Sequence, residues 1–334
     1  MGNEKMNSRT CIVRILVLIT VALATILICP FLGIFTISLS DLVSNEKLYH
    51  VFMMIRIPRT LAAFIAGGGL AVGGMVYQAL FRNPLASPYT LGVSGGASLG
   101  AALCIALGIS TTIAGLSAVM LGAFAGAILA VFVVYSFAWS PRINSATLLL
   151  AGVVVATVCS GCIMFVYYIS PLQHSYQIMR WIMGGIDGTT YSFLLVMAVP
   201  VLIYICYTAV VMPQLDQFLT GDSLAHSRGI NVKRSRNTFI VATAMAVGAI
   251  VAVCGPVGFV GIMAPHACRM MFPGSRHRLL AGCSFLAGGI LLTISDTLAR
   301  TLAPPAEIPV GIFTALFGGP FFLILLFKRK ARLY

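Results

Sequence analysis

The chain has 334 residues, of which 59% are hydrophobic and only 9% charged, whereas an ordinary soluble domain is about 25% charged. That balance excludes a water-soluble globule, a disordered chain and a small disulfide scaffold, and it requires most of the outer surface to face lipid. The net charge of +13 is spread over short basic clusters between apolar runs, which is the pattern of membrane topology and not of a nucleic-acid-binding surface.

Roughly twenty apolar residues, rising 1.5 Å each, cross a hydrocarbon core of about 30 Å. On that ruler the first span is Ile15–Ile37, preceded by Lys5, Arg9 and Arg14. Its apolar run exceeds the roughly 7–15 residues of a signal peptide, and no A-x-A-like site follows, so it reads as a retained span. Next come Ile57–Leu80, Leu91–Ile109, Thr112–Ala138, Ala146–Ile169 and Tyr191–Met212. A polar stretch over 213–236 separates these from Phe239–Cys254, Leu279–Ala299 and Ile308–Phe327. The basic tail Lys328, Arg329, Lys330 and Arg332 closes the chain.

Both ends are basic, so the positive-inside rule places both in the cytoplasm and demands an even number of crossings. Nine spans therefore need a tenth, and the Gly/Pro-interrupted segment Gly255–Cys268 supplies it. With ten crossings, sixteen basic residues lie inside and five outside: Lys47, Arg56, Arg59, Arg180 and Arg300. The expected fold is all-α, a single polytopic membrane domain over 1–334 with about ten transmembrane helices. Ten splits into two inverted halves of five, a frequent transporter plan. Leu70 to Met75 followed by Asn83-Pro84 faintly echoes Val251 to Pro256 followed by Ala264-Pro265.

The nine cysteines mostly sit inside apolar runs, where a thiol packs as a small hydrophobe. Cys159 and Cys162 form a C-x-x-C with no second pair to complete a metal site, and His266 has only Cys268 nearby, on another helix face. No metal site is expected; His50 and His174 are isolated, and His266 is expected to hydrogen-bond at a helix end. None of the five lysines is followed by Ser or Thr, so there is no phosphate-binding loop and this chain is not an ATPase. Asp41, Glu46, Asp187, Asp296 and Glu307 fall near outer span ends, while Glu4, Asp216 and Asp222 lie inside the cell. A carrier driven by protons or sodium would place ionisable groups at mid-membrane. Their scarcity favours transport powered through a partner; the alternative is an ion-coupled secondary transporter of a small organic solute. No Ser/His/Asp or paired-carboxylate constellation suggests an enzyme. Arg56, Arg59 and Arg300 form an outer pad able to receive carboxylates, or else anchor helix ends among lipid headgroups. Asp296 and Glu307 are read as structural ion-pair partners there.

The stretches Arg56-Ile-Pro-Arg59, Gly67 to Gln78, Arg82-Asn-Pro-Leu-Ala-Ser-Pro88 and Leu91-Gly-Val-Ser-Gly-Gly-Ala97 carry a resemblance. So do Leu149 to Gly152, Trp181 to Gly185, Gly221 to Gly229, Gly255 to Gly261, Pro265 to Arg269, Asp296 to Arg300, Glu307 to Gly311 and Gly318 to Phe322. In this order and spacing the chain resembles the FecCD/BtuC-type permease subunits of bacterial ABC importers for iron chelates, haem and vitamin B12. The resemblance implies a permease working as two copies, with two ATPase subunits that use ATP and a periplasmic or lipid-anchored binding protein. It implies no cofactor on this chain itself and an inner-membrane location. Arg56, Arg59 and Arg300 match positions that receive acidic side chains from the binding protein. Gly221, Asp222, Ala225, His226, Ser227, Arg228 and Gly229 match the coupling helices that sit in the ATPase; His226 and Arg228 stand where the family more often has Arg and Leu. Met164 and Tyr168 match the path, and Asn144 and Ser145 the inner gate. Asn83, Pro84, Pro265, His266, Arg269, Asp296, Glu307 and Pro309 belong to the structural motifs. The expected cargo is an iron chelate, a ferric siderophore first, with haem or cobalamin as alternatives. A bare ferric ion would need hard oxygen ligands that the spans lack.

Overall fold

Inside lipid every backbone N–H and C=O must be satisfied within the protein, so an apolar chain of this kind folds into helices. A computed structural model describes residues 8–113, 115–137, 145–218, 227, 229 and 231–330. The helices are α1 (Ser8–Ile28), α2 (Leu39–Ser44), α3 (Glu46–Val51), α4 (Ile57–Leu80), α5 (Val93–Ala106), α6 (Ala118–Phe137) and α7 (Ser145–Ile169). They continue as α8 (Leu172–Ile182), α9 (Tyr191–Phe218), α10 (Val232–Cys254), α11 (Val260–Met271), α12 (His277–Thr301) and α13 (Val310–Lys330). Among the described residues the only sheet is the antiparallel pair Thr112–Ile113 and Leu116–Ser117.

Each of the ten expected spans has its helix: α1, α4 to α7 and α9 to α13. Seven of them are long and apolar enough to cross a membrane, and Val93–Ala106 and Val310–Leu325 are shorter apolar helices. The chain is an all-α polytopic membrane protein.

The boundaries differ from the sequence reading where local chemistry intervenes. Pro30 cannot donate to a continuing helix, so α1 stops at Ile28 and a 3-10 turn over Cys29–Phe31 follows. The fourth span begins at Ala118 and not at Thr112, because the small hairpin with Gly115 at φ +79° occupies the gap. Residues 46–56 were not expected to be helical. They form α3 and a π-helical turn over Phe52–Arg56 that runs straight into α4. The amphipathic α8 was also unforeseen. The polar stretch 213–236 is helical at both ends: α9 runs through Pro213 to Phe218, and α10 starts at Val232 with the Asn231 side chain accepting from Arg234 N at 3.0 Å. The segment expected as a tenth span breaks over 255–259, with Gly255 and Phe259 both at positive φ, so only twelve residues are helical in α11.

The core is organised around α4, which touches α9, α10, α11 and α12. In lipid, helices gain nothing from hiding apolar surface, so close backbone approach decides which one is central. Gly67 lies against Gly288 of α12, where a Cβ would come 2.2 Å from the Gly288 carbonyl oxygen; Gly74 lies still closer to Gly261 of α11. Among the described residues the α4–α12 and α5–α6 contacts are the most extensive.

Candidate functional site

The helices α4 and α12 are antiparallel, so the start of one meets the end of the other and brings Arg59, Asp296 and Arg300 together. Arg59 follows Pro58 in the first turn of α4. Asp296 and Arg300 lie one turn apart in the last two turns of α12, and Glu307 precedes α13. Arg59 Nε donates to both Asp296 oxygens at 3.0 and 3.1 Å, a terminal nitrogen sits 2.9 Å from Oδ1, and the other donates to Glu307 Oε2 at 2.9 Å. Arg300 donates to the Cys29 carbonyl at 2.8 Å and to Thr297 Oγ1 at 3.2 Å, with Nε 3.7 Å from Asp296. Arg56 donates to the carbonyls of Pro30, Phe31 and Phe35, and its guanidinium lies 4.7 Å from the Phe35 ring centre. Arg56 and Arg300 therefore staple the carbonyls after α1 to the ends of α4 and α12, while Arg59 ties α4 to the carboxylates of Asp296 and Glu307.

Asp296 and Glu307 act as the ion-pair partners read from the sequence, with Arg59 as the principal partner of both. The open arginine pad is different. Arg56, Arg59 and Arg300 are only 6%, 8% and 4% exposed, and their donors point inward. A buried carboxylate such as Asp296 is tolerable only with such partners, since removing one member of a buried pair costs about 3–5 kcal/mol.

Beside this cluster opens a cavity of about 400 Å³, whose lining includes Arg59, Asp296 and Glu307 together with Arg180, Trp181 and Asp187. Arg180 and Asp187 are 2.6 Å apart and about half exposed. Helix α8 places Arg180 and Trp181 at this wall, and the loop after it carries Asp187. Sequence reasoning counted Arg180 as an outer charge but missed its partner, seven residues on across a glycine pair.

The other predicted positions separate. Met164 and Tyr168 are 73% and 87% exposed on α7. They line an apolar groove of about 440 Å³ with Ile163, Tyr167, Met179 and Ile182. Ser145 opens α7, and Asn144 lies outside the described residues. Of the coupling positions, Ser227 is exposed and Gly229 turns at φ +82°. Gly221, Asp222, Ala225, His226 and Arg228 lie outside the described residues. Asn83 Oδ1 accepts from Leu85 N at 3.0 Å, forming the turn with Pro84 after α4. Pro265 sits within α11, Arg269 donates to Gln78 of α4, and the Pro309 carbonyl accepts from Ile312 N at 3.1 Å. His266 lies within α11 and its ring meets Phe321 and Phe322 edge-on at 6.2 Å. Among the described residues no three His, Cys, Asp or Glu side chains gather to hold a metal.

The FecCD transport family model matches residues 17–328. The hemin transport system permease HmuU of Yersinia pestis is 38% identical over 289 residues, 86% of each chain. The vitamin B12 import permease BtuC of Salmonella paratyphi A is 40% identical over 276 residues, 82% of each. A metal-chelate-type ABC transporter solved in an inward-facing conformation matches with a TM-score of 0.83 at 30% identity, over 94% of this chain and 98% of that one. PsaBC of Streptococcus pneumoniae, at TM-score 0.54 and 15% identity, shares the fold. With residues 17–328 matched to the family model and permease relatives 38–40% identical over most of its length, the chain belongs to the FecCD transport family of ABC importer permeases.

Proposed function

We propose that this permease carries an iron chelate, a ferric siderophore in the first instance, delivered by a binding protein and driven by two ATPase subunits on the opposite face. The observation that carries the ATP-driven reading is the state of the carboxylates. Of the six described, Asp41 accepts from Ser38 N, Asp187 pairs with Arg180, Asp216 with His277, and Asp296 and Glu307 with Arg59. Glu46 lies exposed at the start of α3. No described carboxylate stands unpartnered inside the bundle to carry a coupling ion, the feature expected of a secondary transporter. ATP belongs to the partner subunits, and this chain performs no covalent chemistry.

Both termini are placed in the cytoplasm, with the arginine cluster on the outer face. The binding protein docks over the ends of α4 and α12. Because Arg59 is already engaged, an acidic side chain of the binding protein gains it by replacing Glu307, whose side chain is 27% exposed against 1% for Asp296. Arg56 and Arg300 hold the backbone under that contact. The exposed face of α7 with Met164 and Tyr168 meets a second copy of the chain and lines the path, with Asn144 and Ser145 at its inner end. Residues 213–236 sit on the ATPase. Haem and cobalamin are the cargoes of the two permease relatives, and a bulky, enclosed metal chelate is the common chemistry.

Uptake by proteoliposomes holding this permease with its ATPase and binding protein tests the cargo. Labelled ferric siderophore should accumulate and resist competition by excess haem or cobalamin; preferential uptake of either competitor would reassign the cargo within the same mechanism.

A further inference from the structure

The last turn of α9, immediately before the segment assigned to the ATPase, is tied to three other parts of the bundle by three successive contacts. The Gln214 side chain accepts from Ser235 Oγ of α10 at 2.8 Å. The Phe218 carbonyl accepts from Arg82 Nε, just after α4, at 2.9 Å. Between them, Asp216 Oδ1 lies 2.5 Å from His277 Nδ1 and accepts from the His277 backbone N–H at 3.3 Å. Leu215 and Phe218 are fully buried beside these groups.

His277 is the first residue of α12, and the preceding Arg276 provides no side-chain cap. The first N–H groups of a helix lack intrahelical partners and carry the positive end of the helix dipole. Asp216 supplies from another helix the carboxylate that α12 lacks locally. The far end of the same helix holds Asp296 and Arg300, nineteen and twenty-three residues on. At 1.5 Å per residue, Asp296 stands about 28 Å from the Asp216 contact. Along that length α12 is seated on α4 through the Gly67–Gly288 contact, and α4 itself ends near Arg82. One rigid helix pair thus joins the entry to residues 219–231 at one end with the Arg59–Asp296 cluster at the other.

We infer that Asp216 and His277 are the positioning link through which movement of the ATPase-bound segment reaches the docking face: Asp216 grips the start of α12, and α12 with α4 carries the displacement outward. This deepens the transport reading proposed above and rests on it. Gln214–Ser235 and Arg82–Phe218 hold the same turn against α10 and α4, so that the turn moves as one body.

The test compares Asp216→Leu and His277→Ala, which remove the link, with Asp216→Asn and His277→Asn, which keep an acceptor and a donor in place. Each is assembled as the full complex. Three quantities are read: the ratio of binding-protein-stimulated to unstimulated ATP hydrolysis, uptake per folded complex, and binding-protein affinity. The link predicts that Asp216→Leu and His277→Ala lower the stimulation ratio and uptake about tenfold, with binding-protein affinity unchanged, and that the asparagine variants restore most of both. Stimulation that survives in both disrupting variants, or that falls equally in the asparagine variants, overturns the link. If the disrupting variants fail to assemble, His277→Phe, which keeps the ring and removes its nitrogens, replaces them; stimulation that survives there also overturns the link. A wild-type complex showing no nucleotide-dependent uptake would instead defeat the transport reading, and the link with it.

Discussion

Helices α4 and α7 have nearly the same length, 24 and 25 residues, and opposite fates. The most apolar stretch of α4 has a mean hydropathy of 1.6 and is 89% buried, whereas that of α7 reaches 2.5 and is 17% buried. In water that ordering would be reversed. In lipid the apolar helix is the one that can remain outside, and the centre goes to the helix whose glycines let neighbours come close. The same logic explains why Arg59 is tolerated at the start of α4: the central helix has α12 beside it to supply the neutralising aspartate.

This contrast can be broken first at the glycines. A Cβ on Gly74 would fall 1.6 Å from the Gly261 carbonyl oxygen, so Gly74→Val must separate α4 from α11. We expect a loss of about 4 kcal/mol or more, seen as failure to purify as a single species; a well-folded variant would remove α4 from the centre. The second break is at the charges. Arg59→Ala should cost about 3–5 kcal/mol by stranding Asp296, read as a lowered unfolding midpoint in detergent, while Arg59→Met combined with Asp296→Leu should recover most of it. Equal losses in both would show that the pair is not the reason for the cost.

The comparison is sharpened by a change outside the central contact. Glu307→Gln leaves Asp296 to hold Arg59 and removes the carboxylate that an incoming acidic group must replace. Binding-protein affinity should rise about fivefold; titration of the solubilised permease with binding protein measures it, and weaker binding would place Glu307 in the docking contact itself. The smallest effect is expected on α7. A Cβ on Gly161 meets nothing within 4 Å, so Gly161→Leu should change the stability of the single chain by under about 0.5 kcal/mol. Its consequence should appear only in the proposed assembly of two copies, as a shift in mass measured in detergent.

Much of this architecture was legible in the residues. Nine apolar runs, and a tenth segment demanded by the two basic ends, each correspond to a helix, because crossing lipid leaves the backbone few choices; the short helices α2, α3 and α8 carry no such signal. The ion pairing of Asp296 and Glu307 was also readable, since carboxylates at span ends beside arginines have few other fates. What could not be read was direction. Arg56, Arg59 and Arg300 look like an outward pad in the sequence, yet Arg59 is engaged by Asp296 and Glu307, and Arg56 and Arg300 donate to the Pro30 and Cys29 carbonyls that the end of α1 leaves bare, a turn visible only once Pro30 is seen to stop the helix. Likewise, no local spacing reveals that Asp216 caps a helix beginning sixty-one residues later. Long-range partners depend on which helices adjoin, and a single sequence states that only through its small-residue seams.

The most direct measurement places the purified permease in proteoliposomes with its ATPase and follows chelate uptake with binding protein outside and ATP within. The account predicts accumulation that needs all three proteins and stops with vanadate. Accumulation by the permease alone, driven by an imposed proton or sodium gradient without nucleotide, would contradict it.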